Sequence, residues 1–392
     1  MPPDDLCPRP QSVPPFSTQP HSPPIYLTSV WACDSPQQAD DILGGRAAGH
    51  VYQRDTHPNA DLLAAKCGEL HGAERAVITS SGMSALSAAL LTQLQPGEHL
   101  VIGSRSYGKS LALFVGEGGR LGIQSTVVDA GDLQMVAAAI TPRTRLLVVE
   151  TIANPLLEVA DIAALAKIAH QAGARLLVDN TFASPLVCRP LDLGADLVME
   201  SLTKSLNGHS DVVLGLLCGR AEDWKDVPRI ISTWGLNSSP FDCWLAGRGL
   251  LTAHLRMERG CQNAMQVAEF LGFRREIKTL FYPGLQSHPG HLLAAQQFRQ
   301  GLFGCMVTFE LSGGRSAADA FIVAARRIPF CPSLGELSTT LSHPETTSHR
   351  GLTPDQRAAL GISGGVIRLS VGTESADFIC SALAEGLDAI KE

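Results

Sequence analysis

A single lysine, Lys204, closes the apolar run ADLVMESLTK and stands beside two hydroxyl residues, Ser201 and Thr203. Carbonyl chemistry needs an amine that gives up its proton, and burial or a nearby cation confers that property on a lysine. Taken alone, a lysine at a strand end reads equally well as a solvated charge. Asp179 alters its company, because it ends the strand-like run ARLLVD 25 positions earlier, and ligand sites gather at the carboxyl ends of parallel strands. A carboxylate placed there keeps a pyridine nitrogen protonated and its ring an acceptor of electrons; the alternative is an ordinary cap on the turn before NTF.

Such a ring commonly carries a phosphate, and the segment SSGMSAL offers a strand, a tight turn and a helix start. There the N–H groups of Gly82 and Met83 point at an anion, with the Ser201 and Thr203 hydroxyls as further donors. An ordinary glycine turn is the competing reading. Tyr107, in SRSYGKS after the strand EHLVIGS, is placed either to stack on a planar ring or to pack at an interface. The glycines of VGEGGRLG have the wrong spacing for a dinucleotide loop and follow a helix. His288 and His291 in SHPGH lack further ligands, so no metal site is expected.

Short apolar runs alternate with amphipathic ones from about residue 60 to 218: RAVITSS, GMSALSAALLTQL, EHLVIGS, KSLALFVGEGGRLG, TRLLVVET and ADIAALAKIAHQAG among them. This rhythm predicts an α/β fold with a mostly parallel central sheet covered by helices on both faces. After DVVLGLLCG the stretch CWLAGRGLLTAHLRMERGCQNAMQVAEFLG reads as one long helix leaving that sheet, and GCMVTFEL and GVIRLSVG read as strands of a smaller one. The expected division is an N-terminal arm over residues 1–50, proline-rich and disordered at its start, a large domain over 51–245 and a smaller C-terminal α/β domain over 246–392.

The segments YQRDTHPN, SSGMSAL, SYGKSLALF, ETIANPLLEVADI, VDNTFASP, SLTKSLNGHSDVVLG, SLGELSTTLSHP and IRLSVGTE, in this order, resemble the Cys/Met-metabolism family of pyridoxal 5′-phosphate (PLP) enzymes. This is the transsulfuration group of cystathionine synthases and lyases and methionine lyases. The resemblance implies the fold type I, aminotransferase-like architecture and PLP as cofactor. Lys204 would be the Schiff-base lysine, Asp179 the partner of the pyridine nitrogen and Tyr107 the stacking ring, with Gly82, Met83, Ser201 and Thr203 on the phosphate. Tyr52 and Arg54 match positions that reach the neighbouring subunit's site, so a homodimer with shared sites, and a tetramer of two such dimers, is implied. Arg368, Asn154 and Ser333 match the residues that bind the substrate carboxylate, a task suited to the planar fork of arginine.

The implied activity is carbon–sulfur lyase chemistry on sulfur amino acids by cystathionine-type β- or γ-elimination. Lys204 acts as base and Tyr107 assists proton transfer near the leaving group. The alternative is a γ-replacement synthase joining cysteine or sulfide to an O-acyl-homoserine. Two departures bear on that choice. Lys109 adds a cation near the distal end of the substrate or else points to solvent, and Ser338 stands where relatives carry a glutamate.

Composition narrows the partners. With 45% hydrophobic and 18% charged residues and a formal net charge of −7 without basic clusters, the chain offers no field for nucleic acid and no apolar run of membrane-spanning length. The start lacks the basic and apolar regions of a secretory signal and is expected to remain unprocessed. Ten cysteines without a C-x-x-C pair read as thiols of a reducing compartment, so a cytoplasmic location is expected.

Overall fold

The protein is described by a computed structural model covering residues 17–390; the start of the expected arm, residues 1–16, lies outside the described residues. Seven strands form the larger sheet: β1 (Arg75–Thr79), β2 (His99–Gly103), β3 (Gln124–Val128), β4 (Thr144–Glu150), β5 (Arg175–Asp179), β6 (Leu197–Ser201) and β7 (Gly215–Gly219). Their order is β1-β7-β6-β5-β4-β2-β3, and only β7 runs against its neighbours. Leu146, Leu147, Val148 and Val149 in β4 are all at most 2% exposed. A strand apolar on every residue needs cover on both faces, and each such side chain contributes roughly 2 kcal/mol by burial.

The helix Gly82–Gln93 illustrates how local sequence sets the site. Ser81 caps it, its hydroxyl accepting the Ser84 N–H at 3.0 Å. Ala85, Leu86, Ala88, Ala89 and Leu90 bury its inner face against the sheet. Its N-terminus is therefore fixed over the carboxyl end of β1.

The second sheet contains β8 (Ile277–Phe281), β9 (Met306–Leu311), β10 (Thr340–Ser342) and β11 (Val366–Ser370) in the antiparallel order β10-β11-β9-β8. The stretch expected as one long helix is two, Pro240–Leu250 and Ala253–Gly272, broken at Leu251 and Thr252. Arg256 gathers the carbonyls of Gly249 (2.9 Å), Ser205 (2.6 Å) and Leu206 (2.8 Å). Gly249 packs so closely that a Cβ would sit 2.6 Å from the Asn207 carbonyl oxygen. The chain bends there to clasp the turn that follows Lys204. The boundary expected between residues 245 and 246 falls inside the first of these helices.

Candidate active site

The carboxyl ends of β4, β5 and β6 finish on Glu150, Asp179 and Ser201, and Glu150 and Asp179 are register partners on adjacent strands. A cavity of about 670 Å³ opens over these ends, lined among others by Tyr107, Asn154, Lys204, Ser333 and Arg368. That volume suits a cofactor together with a small substrate.

Lys204 lies in the turn after β6, its backbone N–H donating to Ser201 O at 3.1 Å and its carbonyl accepting from Gly208 at 2.8 Å. Its side chain is partly buried and donates from Nζ to Ser333 Oγ at 2.8 Å. Burial, and secondly the field of Arg368, hold this ammonium below the usual lysine range. A proton is thus lost more readily than from a surface lysine.

Arg368, in β11, is 4% exposed. Its Nη1 donates to Asn154 Oδ1 at 2.6 Å and its Nη2 to the Ser333 carbonyl at 3.4 Å, while Nε has no partner. Burial lowers this guanidinium to about 10, with Glu150 and Tyr107 opposing. A buried cation with an open donor is an incomplete site that an anion completes. Asn154 and Ser333 hold its fork from two sides.

Two half-buried carboxyls form the floor. Glu150 is pushed up to about 8 by burial and by Asp179 beside it, against the N–H groups of Tyr107 and Asn154 that donate to it. Burial also raises Asp179, although the Thr181 N–H donates to its Oδ1 at 3.0 Å. Neighbouring acids lifted in this way are receptive to a cation. Glu150 escaped the sequence reading, although its place at the end of TRLLVVE mirrors that of Asp179 and was a usable signal.

Gly82 and Met83 line the cavity at the start of the helix Gly82–Gln93. A Cβ on Gly82 would come 3.2 Å from Ser201 Cβ, and one on Gly215 would come 2.2 Å from the Ser81 carbonyl oxygen, so backbone closes tightly around this corner. Ser201 Oγ makes no hydrogen bond among the described residues. Thr203 Oγ1, in contrast, bonds the Leu214 carbonyl (3.3 Å) and N–H (3.1 Å), so it stiffens the lysine turn as well as facing the cavity. Tyr107, 39% exposed, stands at the cavity's mouth.

Tyr52 and Arg54 are not brought into this cavity. Both are exposed, with the Arg54 guanidinium 5.1 Å from the centre of the Tyr52 ring. Lys109 is exposed and absent from the cavity wall, and Ser338 hydrogen-bonds Glu336 at 3.2 Å outside it.

Residues 9–388 match the Cys/Met metabolism PLP-dependent enzyme family. The chain belongs to this family. It is 40% identical to an L-methionine gamma-lyase of Porphyromonas gingivalis over 94% of this chain and 92% of the relative. It is also 40% identical to an O-succinylhomoserine sulfhydrylase of Pseudomonas aeruginosa, over 94% and 91%. The crystal structure of cystathionine gamma synthase from Xanthomonas oryzae pv. oryzae in complex with aminoacrylate and cysteine superposes with a TM-score of 0.89. That enzyme shares 38% identity, over 94% of this chain and 93% of the other.

The enzyme is therefore PLP-dependent, and the α/β fold with its mostly parallel sheet and second, smaller sheet is that of its relatives. The residues present fit the cofactor on their own chemistry: a lysine held below the usual range, a raised, half-buried carboxyl and a helix N-terminus face one cavity. Among the described residues no helix is long and apolar enough to cross a membrane.

Proposed function

We propose that the enzyme cleaves the carbon–sulfur bond of a sulfur-containing amino acid by β- or γ-elimination. The observation that carries this reading is the shared cavity, in which the Lys204 amine and the Arg368 guanidinium meet at Ser333, through its Oγ and its carbonyl, with Arg368 Nε left unfilled. When bound, PLP supplies an electron sink for the bond broken at the substrate Cα. Lys204 would hold the cofactor, and its amine is the general base for the Cα proton. With the leaving group on Cγ, the same amine moves a second proton from Cβ.

Arg368 grips the substrate α-carboxylate, and Asn154 and Ser333 fix its fork. Asp179 keeps the ring nitrogen protonated. Gly82, Met83, Ser201 and Thr203 would receive the phosphate and Tyr107 would stack on the ring, its hydroxyl serving proton transfer near the leaving group. Tyr52 and Arg54 complete the phosphate site of a neighbouring copy, which requires a homodimer; a tetramer of two such dimers is the assembly in this reading. Their exposure away from their own cavity supports it. The cytoplasm is the compartment proposed.

A second reading, γ-replacement on an O-acyl-homoserine, is supported by the 40% identity to an O-succinylhomoserine sulfhydrylase. Incubation with cystathionine, methionine, homocysteine, and O-acyl-homoserine plus cysteine separates the two by product. An oxo acid marks elimination and a thioether marks replacement; neither product from any substrate would overturn both. Lys204→Ala is expected to abolish the visible absorbance of the bound cofactor and to slow turnover by about 10³-fold or more.

A further inference from the structure

Part of the cavity wall is made by Thr346, Thr347, Ser348 and Arg350, in the loop over residues 344–352. It is held firmly. Thr347 Oγ1 donates to the His343 carbonyl at 2.7 Å, the His349 N–H donates to the Pro344 carbonyl at 2.9 Å, and His343 Nε2 bonds the Gly364 carbonyl at 2.8 Å. His349 is buried. The loop also abuts the segment carrying Tyr107, since a Cβ on Gly108 would meet the Ser348 carbonyl oxygen at 3.6 Å.

This loop presents Arg350 to the cavity. Its guanidinium is exposed and has neither a hydrogen bond nor an ion pair among the described residues. Of the two acids five positions away, Glu345 is already engaged by Arg357 (3.4 Å) and Arg315 (3.5 Å), and Asp355 makes no ion pair with Arg350. The cavity thus carries two guanidinium groups of different standing: Arg368, buried beside the lysine, and Arg350, unpaired at the rim. An amino-acid substrate has one α-carboxylate, which Arg368 takes. A second guanidinium, unpaired and lining the same cavity, fits a second anion further along the side chain.

We propose that Arg350 is a specificity-determining residue that binds a carboxylate at the distal end of the substrate's γ-substituent. The preferred substrates are then those whose leaving group ends in a carboxylate, either a dicarboxylic acyl ester of homoserine or a thioether bearing a second amino-acid end. A methyl thioether leaves Arg350 without a partner. The proposal rests on the PLP-dependent reading of the same cavity.

The test uses the holoenzyme and two matched substrate pairs: O-succinyl- against O-acetyl-L-homoserine, and cystathionine against methionine. Selectivity is the ratio of kcat/KM within each pair. The expected result is that Arg350→Gln lowers that ratio about tenfold in at least one pair, as loss of a charge-assisted hydrogen bond does, with the change in KM. Arg350→Lys restores part of it, and added salt reduces the ratio in the wild type but not in Arg350→Gln. A fall confined to the ester pair assigns the anion to an acyl group, and one confined to the thioether pair assigns it to the second amino-acid end. Ratios unchanged in both pairs overturn the role of Arg350 alone. If no amino acid shifts the cofactor's absorbance in either protein, the reading of the cavity falls and the assignment with it.

Discussion

At the scale of single residues, Glu150 makes the sharpest prediction. Its carboxyl is raised to about 8 in the folded chain, first by burial and next by Asp179, whereas in the unfolded chain it titrates near the ordinary value of 4.5. A group raised in this way contributes stability that is full below the unfolded value and is lost as pH climbs through the folded one. The Tm of the cofactor-free enzyme should therefore fall between pH 5 and 8. Glu150→Gln should flatten that slope without abolishing it, since Asp179 is raised in the same sense. The variant keeps one acceptor oxygen for two N–H donors, costing about 1 kcal/mol, so it starts below the wild type at pH 5 and closes the gap by pH 8. Thermal melts across that range check it; parallel curves would place the titration elsewhere.

At the scale of elements, the site depends on turns that bring distant segments into contact. Gly335 has φ +80°, and a Cβ there would lie 2.4 Å from the Ser205 backbone nitrogen. Its own N–H is held by Ser370 Oγ at 2.8 Å. Gly335→Ala should push this loop off the lysine turn and carry Ser333 away from Lys204, lowering kcat by roughly ten- to a hundredfold. Cofactor affinity should change much less, because the helix Gly82–Gln93 is untouched; kcat and cofactor titration together decide it, and equal losses in both would refute it. Such contacts also mark what the sequence conveys. The alternation of apolar strands and helices is a short-range pattern, so the larger sheet was legible from it. Lys204 and Asp179 were legible as strand-end residues, and the motif order supplied Arg368. The break at Leu251 was hidden because it is made by Arg256 reaching carbonyls about 50 positions away. Arg350 was hidden because an arginine in a polar loop carries no periodic signal; only its place on the cavity wall distinguishes it.

At the scale of the whole molecule, the cavity is a joint product of two sheets: Lys204 and Asp179 come from the end of the larger, Arg368 from the smaller, and Ser333 from the loop that leads into β10 of the smaller. What the chain holds outward is equally telling. Tyr52 and Arg54 sit together on the surface, away from their own cavity. If each serves the neighbouring copy, then two separately inactive proteins are two halves of a repair. A Lys204→Ala subunit still lends a sound Arg54, and an Arg54→Ala subunit still owns a sound lysine. Unfolding and refolding the two together should pair them at random, half as mixed dimers with one intact centre each, and return about a quarter of wild-type activity under C2 pairing. Activity no greater than the sum of the two parents would mean that each copy works alone.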